Sequence, residues 1–257
     1  MSASTIKWAK DLAAWGIPSH ILEQAPQDPW IHPPVLFTVP REIPSTVSHD
    51  LARQALVGGG SILDIGCGGG IAAFAAVPPA THVIGVDHQQ EMLEMFAAEA
   101  EIRSVTHQEF LGYWPKIVEQ VPSADVVTCH HVAYNVSDIE PFLKALDAHS
   151  NRRVVIEIPQ KHPLSVMSEA WKYFWNLERP TSPNSNDLLN IVRELGFDAQ
   201  MSNWMSSLGR EIEFDQEVEF MRIRLCLPAT RDNEIAEFLE QYPRSLPRSV
   251  STIWWDK

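Results

Sequence analysis

Basic residues are scarce in this chain of 257: lysine and arginine number 20 against 33 aspartates and glutamates, leaving a formal net charge of −13. A surface of that sign repels phosphate backbones and disfavours a general nucleic-acid binder. The densest basic stretches, Arg152-Arg153 and Arg222 with Arg224, are too sparse for a nucleic-acid footprint. Long apolar runs are also missing. No stretch approaches the ~18 consecutive apolar residues of a membrane-spanning helix. The opening MSASTIKWAKDLAAWG is broken by Lys7, Lys10 and Asp11 and lacks the continuous apolar core of a secretory signal. Cysteine occurs at Cys67, Cys129 and Cys226 alone, with neither a CxxC pair nor zinc-knuckle spacing. Unpaired, widely spaced thiols fit a reducing compartment, so the expectation is a cytoplasmic protein with no structural metal.

What is present suits one α/β domain with elaborations: hydrophobic residues make up 45% and charged residues 21% of the chain. Residues 18–44 carry seven prolines among Trp30, Ile31, Val35, Leu36 and Phe37. Such a segment holds only short helices or irregular chain, packed onto something rather than loose. From residue 46 the pattern changes. TVSHDLARQALV reads as a helix stopped by Gly58-Gly59-Gly60. Short apolar strands then alternate with helices: strands at Ser61 to Ile65, His82 to Val86, Arg103 to His107, Ala124 to Cys129 and Arg153 to Ile158, and helices at Ile71 to Val77, Gln89 to Ala100 and from an Asp138 cap to Leu146. This spacing means βαβ units in a mainly parallel sheet covered on both faces. After Pro159 come helices at 163–178, 186–195, 215–225 and 233–241, and strands at 197–204 and 249–255. The expected organisation is an N-terminal lid or accessory segment over 1–45, then one seven-stranded domain over 46–257 with helical inserts at about 163–180 and 215–241.

The line SILDIGCGGGIAAF places a glycine burst between the first strand and its helix. In such a sheet, ligands sit beyond the carboxyl ends of the strands. Glycine lets the chain turn sharply and lets backbone amides approach a ligand. The dinucleotide pattern GxGxxG fails here, because its third glycine position is Ile71. The pattern that fits is acid-x-G-x-G-x-G, made by Asp64, Gly66, Gly68 and Gly70, followed 21 residues after Gly66 by Asp87 at the end of the second strand. This resembles motif I of the class I S-adenosylmethionine-dependent methyltransferases, over roughly residues 46–160.

The resemblance implies a Rossmann-like fold with S-adenosylmethionine as cofactor. It brings Asp64 and the Gly66–Gly70 loop, including Cys67 as a small filler, near the methionyl part of the ligand. Asp87 takes the ribose, His88 or Gln89 lies beside the adenine, and Gln108 or Glu109 on the third strand meets the adenine amino group. The fourth strand, with His130, passes the sulfonium centre. Its continuation, Tyr134-Asn135-Val136-Ser137-Asp138, departs from the family's usual ending there. His130 and His131 are candidate proton acceptors. As neighbours on an extended strand they point to opposite faces, which argues against a shared metal. Tyr134, Trp171, Trp175, Trp30 and Phe37 are candidate acceptor contacts. The acceptor is expected to be a small, partly apolar molecule. A non-catalytic regulatory binder of the same ligand and an NAD-type oxidoreductase are the alternatives. The 215–241 insert has two uses open to it, a cover for the site or a homodimer contact.

Overall fold

The computed structural model describes residues 2–30, 38–206, 213–242 and 248–257. In chain order the elements are α1 (Ala3–Ala13), α2 (Ser19–Leu22), α3 (Val47–Ala55), β1 (Ser61–Ile65), α4 (Ile71–Ala75), β2 (His82–Asp87), α5 (Gln90–Ile102), β3 (Thr106–Leu111), β4 (Ala124–His130), α6 (Ile139–Ala148), β5 (Ser150–Pro159), α7 (Ser168–Trp175), α8 (Ser185–Glu194), β6 (Gln200–Ser206), α9 (Phe214–Arg224), α10 (Asp232–Gln241) and β7 (Arg248–Asp256). The seven strands form one sheet in the order β3-β2-β1-β4-β5-β7-β6. β1 to β5 are parallel, and β7 runs antiparallel to both β5 and β6.

Alternation along the strands builds two cores. Ile62, Val83, Val126 and Val155 face Leu56 of the chain after α3, Phe74 of α4 and Phe96 of α5. Leu63, Ile84, Val127 and Val154 face Trp8 of α1, Phe142 of α6 and Leu188 of α8. Helices therefore cover both faces, as the all-apolar strands require. A third apolar cluster stands apart, joining Ile21 of α2, Trp171 of α7, Met221 of α9 and Phe238 of α10.

The route of the chain sets where that third cluster sits. β6 ends and β7 begins at one edge, since Ser206 pairs with Arg248. That edge is where β5 ends, since Pro159 pairs with Val250. The segments after β5 and after β6 thus both leave the sheet at the carboxyl edge of the parallel strands. α7 from the first segment and α9 and α10 from the second join α2 to form a cap there, while α8 returns to the sheet's core.

Several boundaries differ from the sequence reading. β3 begins three residues later than expected, because α5 runs on to Ile102 and the chain turns through Ser104 at a φ of 55°. β6 begins at Gln200 instead of 197. The 163–178 helix is a 3-10 turn over Pro163–Met167 followed by α7, which ends at Asn176 in a left-handed conformation. Asp138 precedes α6, but its side chain makes no capping bond. The first 45 residues also divide. α1 packs into the sheet's core, where Trp8 is buried and its Nε1 donates to the Val136 carbonyl at 2.8 Å. α2 joins the cap instead.

Candidate active site

The glycine loop leaves β1 at the carboxyl edge. Gly66, Gly68 and Gly70 take φ values of 70°, 52° and 96°, a region that costs other residues strain. Space is as tight as the backbone. A Cβ on Gly66 would lie 2.4 Å from Val132 Cγ2, and one on Gly70 2.4 Å from Phe74 Cε2. The amides of Gly66 and Cys67 donate to the Val86 carbonyl at 2.8 and 3.1 Å, pinning the loop across β2.

Two carboxylates flank this loop in different surroundings. Asp87 ends β2, and its oxygens accept from the amides of Gly68 at 3.1 Å and Gln89 at 3.0 Å. Asp64 lies beneath the loop at 1% exposure, accepting from the Ala73 amide at 3.3 Å and the Thr128 hydroxyl at 3.0 Å. Burial pushes its carboxyl up to about 7, against the pull of those two bonds. Asp64 braces the turn from inside, while Asp87 sits at the strand edge. Cys67 is buried with its thiol pushed up by that burial, the state of a filler and not of a nucleophile.

Further along the edge, His88 stacks on Tyr113 with ring centroids 4.8 Å apart, and Tyr113 is exposed. Gln108 and Glu109 pair with Ile84 and Gly85, in the middle of β3. Glu109 holds His107 Nδ1 at 2.6 Å. The later start of β3 moves both residues away from the strand end where the resemblance wanted them. Gly112 comes to that end instead, donating to the Asp87 carbonyl at 2.9 Å, with Tyr113 beyond it. Tyr113 was missed; the aromatic in LGYW after the third strand was the available signal.

The end of β4 departs most from expectation. His130 stands opposite Glu157 of β5 in the strand register. At His131 the backbone turns to a φ of 62°, so strict strand alternation stops. Both imidazoles then approach one carboxylate: His131 Nε2 lies 3.0 Å from Glu157 Oε1, and His130 Nδ1 lies 3.9 Å from Oε2. His49 of α3 stacks on His130 at 5.8 Å and ties its own Nδ1 to the Pro44 carbonyl at 3.1 Å. Burial would raise the Glu157 carboxyl, but His130 and His131 beside it hold it well below the usual carboxylate range. Burial drives His130 down to about 3, opposing the pull of Glu157. At neutral pH the carboxylate is charged and His130 is neutral. His130 Nε2 and Glu157 Oε2 are buried without a hydrogen-bond partner. Among the described residues no group of three His, Cys, Asp or Glu is arranged to hold a metal.

Tyr134 is buried, donates its hydroxyl to the Pro159 carbonyl at 2.9 Å, and stacks on Trp8 at 5.8 Å. It forms a wall, and its phenol is pushed up by burial. Trp171 is buried in the cap, and Trp175 donates Nε1 to the Leu225 carbonyl at 2.7 Å. Trp30 is 43% exposed and lines a small cavity with Trp171, Met167, Arg179 and Arg224. Phe37 lies outside the described residues. Among the described residues no helix is long and apolar enough to cross a membrane.

A glycine turn, an edge carboxylate and a doubly covered sheet define a Rossmann-like fold built to hold a nucleoside ligand. A family model described as "Methyltransferase domain" matches residues 40–200, and the chain belongs to that family. An uncharacterised methyltransferase of Bacillus subtilis, YcgJ, is 36% identical over 81 residues, which is 30% of this chain and 31% of that protein. A ubiquinone biosynthesis O-methyltransferase of Albidiferax ferrireducens is 33% identical over 92 residues, 35% of this chain and 36% of that one. The chain thus matches about a third of the length of these curated relatives. The crystal structure of the Bacillus YcgJ protein superposes with a TM-score of 0.54 at 20% identity, covering 82% of this chain and 97% of that one, a likeness of fold.

S-adenosylmethionine is the cofactor that membership brings, and the donor set fits it. Asp87 offers a carboxylate at the mouth for ribose hydroxyls. The loop leads into α4 through Gly70, with Gly66 exposed and Cys67 to Gly70 buried. His88 and Tyr113 offer aromatic faces for a base.

Proposed function

We propose that this chain transfers a methyl group from S-adenosylmethionine to a small, partly apolar acceptor held between the carboxyl edge and the cap. The observation that carries this is topological. Both helical inserts leave the sheet at the same edge that bears the glycine loop, and with α2 they meet in an apolar cluster of their own. A roof of that kind excludes water from the transfer and suits a molecule small enough to be enclosed.

When bound, S-adenosylmethionine supplies a methyl carbon made electrophilic by the adjacent sulfonium. The chain's work is alignment in a dry site. Asp87 holds the ribose, and His88 with Tyr113 sandwiches or flanks the base. Asp64 keeps the turn in shape. Tyr134 and Trp8 wall the acceptor side, and Trp30 closes it from the cap. The charge of −13 supports a small molecule over a nucleic acid as the partner. Three buried free thiols support a reducing compartment, the cytoplasm.

The test is titration calorimetry with S-adenosylmethionine and S-adenosylhomocysteine on the native chain and on Asp87→Ala, followed by an acceptor screen with methyl-labelled donor. Micromolar binding that the substitution weakens about 10- to 100-fold supports the site. A native chain that binds neither ligand removes the reading.

A further inference from the structure

We propose that the small cavity inside the cap is an anion subsite, where Arg179 and Arg224 take a carboxylate carried by the methyl acceptor. This assignment rests on the methyltransferase reading above and deepens it by naming the acceptor's charge.

The cavity is cationic in an acidic chain. Acids outnumber bases 33 to 20 overall. Yet Arg179 and Arg224 both line this one cavity, beside Trp30, Trp171 and Met167, and no aspartate or glutamate among the described residues lines it. Arg224 is 4% exposed, donates Nη1 to the Pro29 carbonyl at 2.5 Å and stands over the Phe220 ring at 5.1 Å. Burial lowers its guanidinium from the usual range, against the pull of Asp28.

Arg179 carries the stronger signal. Its Nη1 donates to the Gly16 carbonyl at 3.2 Å and its Nη2 to the Trp15 carbonyl. The guanidinium stands over both Trp15 and Trp171, 5.3 and 5.2 Å from their ring centroids. Those contacts fix the plane of the fork. Its Nε is buried without a hydrogen-bond partner. Burial lowers this guanidinium too, and no carboxylate pulls the other way. Carbonyls satisfy donors but do not neutralise a charge. A cation held this way is costly until an anion completes it.

A carboxylate is the anion of matching shape, planar and able to meet a guanidinium edge with two oxygens. The cavity has about 10 Å³ of free space as it stands, room for about one water. The carboxylate therefore enters as the Trp30 ring swings outward; Trp30 is the most exposed of the lining side chains. The subsite is joined to the acceptor wall by a run of rings. Trp15 stacks on His162 at 4.1 Å, and His162 meets Tyr134 edge-on at 5.0 Å. An acceptor anchored at the cap by its carboxylate is held away from its reacting atom, and binding of that kind serves alignment.

The experiment uses the full chain in native, Arg179→Gln, Arg179→Lys and Arg224→Gln forms. S-adenosylhomocysteine affinity is measured first. Benzoate, its neutral isostere benzamide, and phenyl phosphate are then titrated into the complex by calorimetry. Expected is benzoate binding about 10-fold or more tighter than benzamide, with that preference lost in Arg179→Gln and Arg224→Gln. S-adenosylhomocysteine affinity should stay within about 2-fold in every variant. Nitrogen-15 NMR should show the Arg179 Nε–H signal, identified by its absence from Arg179→Gln, shifting with benzoate and not with benzamide. A merely structural arginine would not report the ligand's charge. Arg179→Lys carries the comparison should Arg179→Gln fail to fold; it keeps the charge and loses the fork, and the preference should fall there too. Equal affinity for benzoate and benzamide, a preference kept in the variants, or an Nε–H signal blind to benzoate would each overturn the assignment. Phenyl phosphate binding more tightly than benzoate would overturn the carboxylate in favour of a phosphate. Native protein that binds S-adenosylhomocysteine but not benzoate sinks the subsite alone; protein that binds no S-adenosylhomocysteine sinks the broader reading, and the acceptor assignment with it.

Discussion

The two halves of the carboxyl edge solve different problems. At β1 and β2 every feature is backbone geometry: three left-handed glycines, amides pinned to Val86, and two carboxylates bonded to amides or a buried hydroxyl. At β4 and β5 side chains dominate, and buried polar atoms of His130 and Glu157 are left unpartnered. Unmade bonds in a buried cluster are costly, and a fold carries them where they serve something else. The first half is built to be a fixed mould. The second holds polar groups in readiness.

That contrast is broken most severely by filling the mould. Gly70→Ala puts a Cβ 2.4 Å from Phe74 Cε2 and 2.7 Å from Phe96 Cδ2, at a φ of 96°. The combined strain and overlap are expected to cost about 2–4 kcal/mol in thermal or urea unfolding. S-adenosylhomocysteine binding should fall below detection in calorimetry. Asp87→Ala comes next, with affinity weakened about 10- to 100-fold, the worth of a charge-assisted hydrogen-bond pair. In the other half the matching experiment is His131→Gly. Its melting temperature should fall, because buried Glu157 loses its partner at 3.0 Å and the unfolded chain gains freedom, while cofactor affinity should not change. Loss of cofactor binding in His131→Gly would erase the distinction between the halves.

The pH dependence of stability sharpens it with opposite signs. Asp64 is raised to about 7, so its contribution is intact below the unfolded value of 3.8 and is lost as pH rises through about 7. His130 is lowered to about 3, so its contribution is intact above 6.5 and is lost as pH falls toward about 3. Each group carries at most about 1.4 kcal/mol per pH unit across its window. Urea midpoints between pH 4 and 7 should therefore show Asp64→Asn gaining on the native chain as pH rises, and His130→Asn gaining as pH falls. The smallest effect is expected at Cys67→Ala: under about 1 kcal/mol of stability, with an unchanged transfer rate and no thiol labelling of Cys67 in the folded native chain.

The mould was legible in the sequence because it is local. SILDIGCGGG contains the strand, the turn and the bracing acid in ten consecutive residues, and β1 has the bounds that its apolar run implies. Asp87 followed from the same logic. The other half was not legible, because its assembly depends on register. Glu157 reads as one more residue of RVVIEI, and nothing in spacing says that it stands opposite His130. His131 was assigned to the opposite face by strand alternation, which its left-handed φ undoes. On β3 the expected start at Arg103 lies three residues before the observed Thr106, so Gln108 and Glu109 fall in mid-strand and not at its end. Trp171 and Tyr134 are both buried, and burial of this kind follows from the tertiary packing, which the sequence does not show.

The make-up of the cap has a consequence for the order of folding. The five parallel strands are complete by Pro159. The cap's core needs Ile21 to meet Phe238. Closing so long a span costs chain entropy that is recovered only once the sheet already holds both ends near each other. The cap is therefore the last part to assemble and the first to open, and its slow-exchanging amides should be fewer than those of β1 and β4.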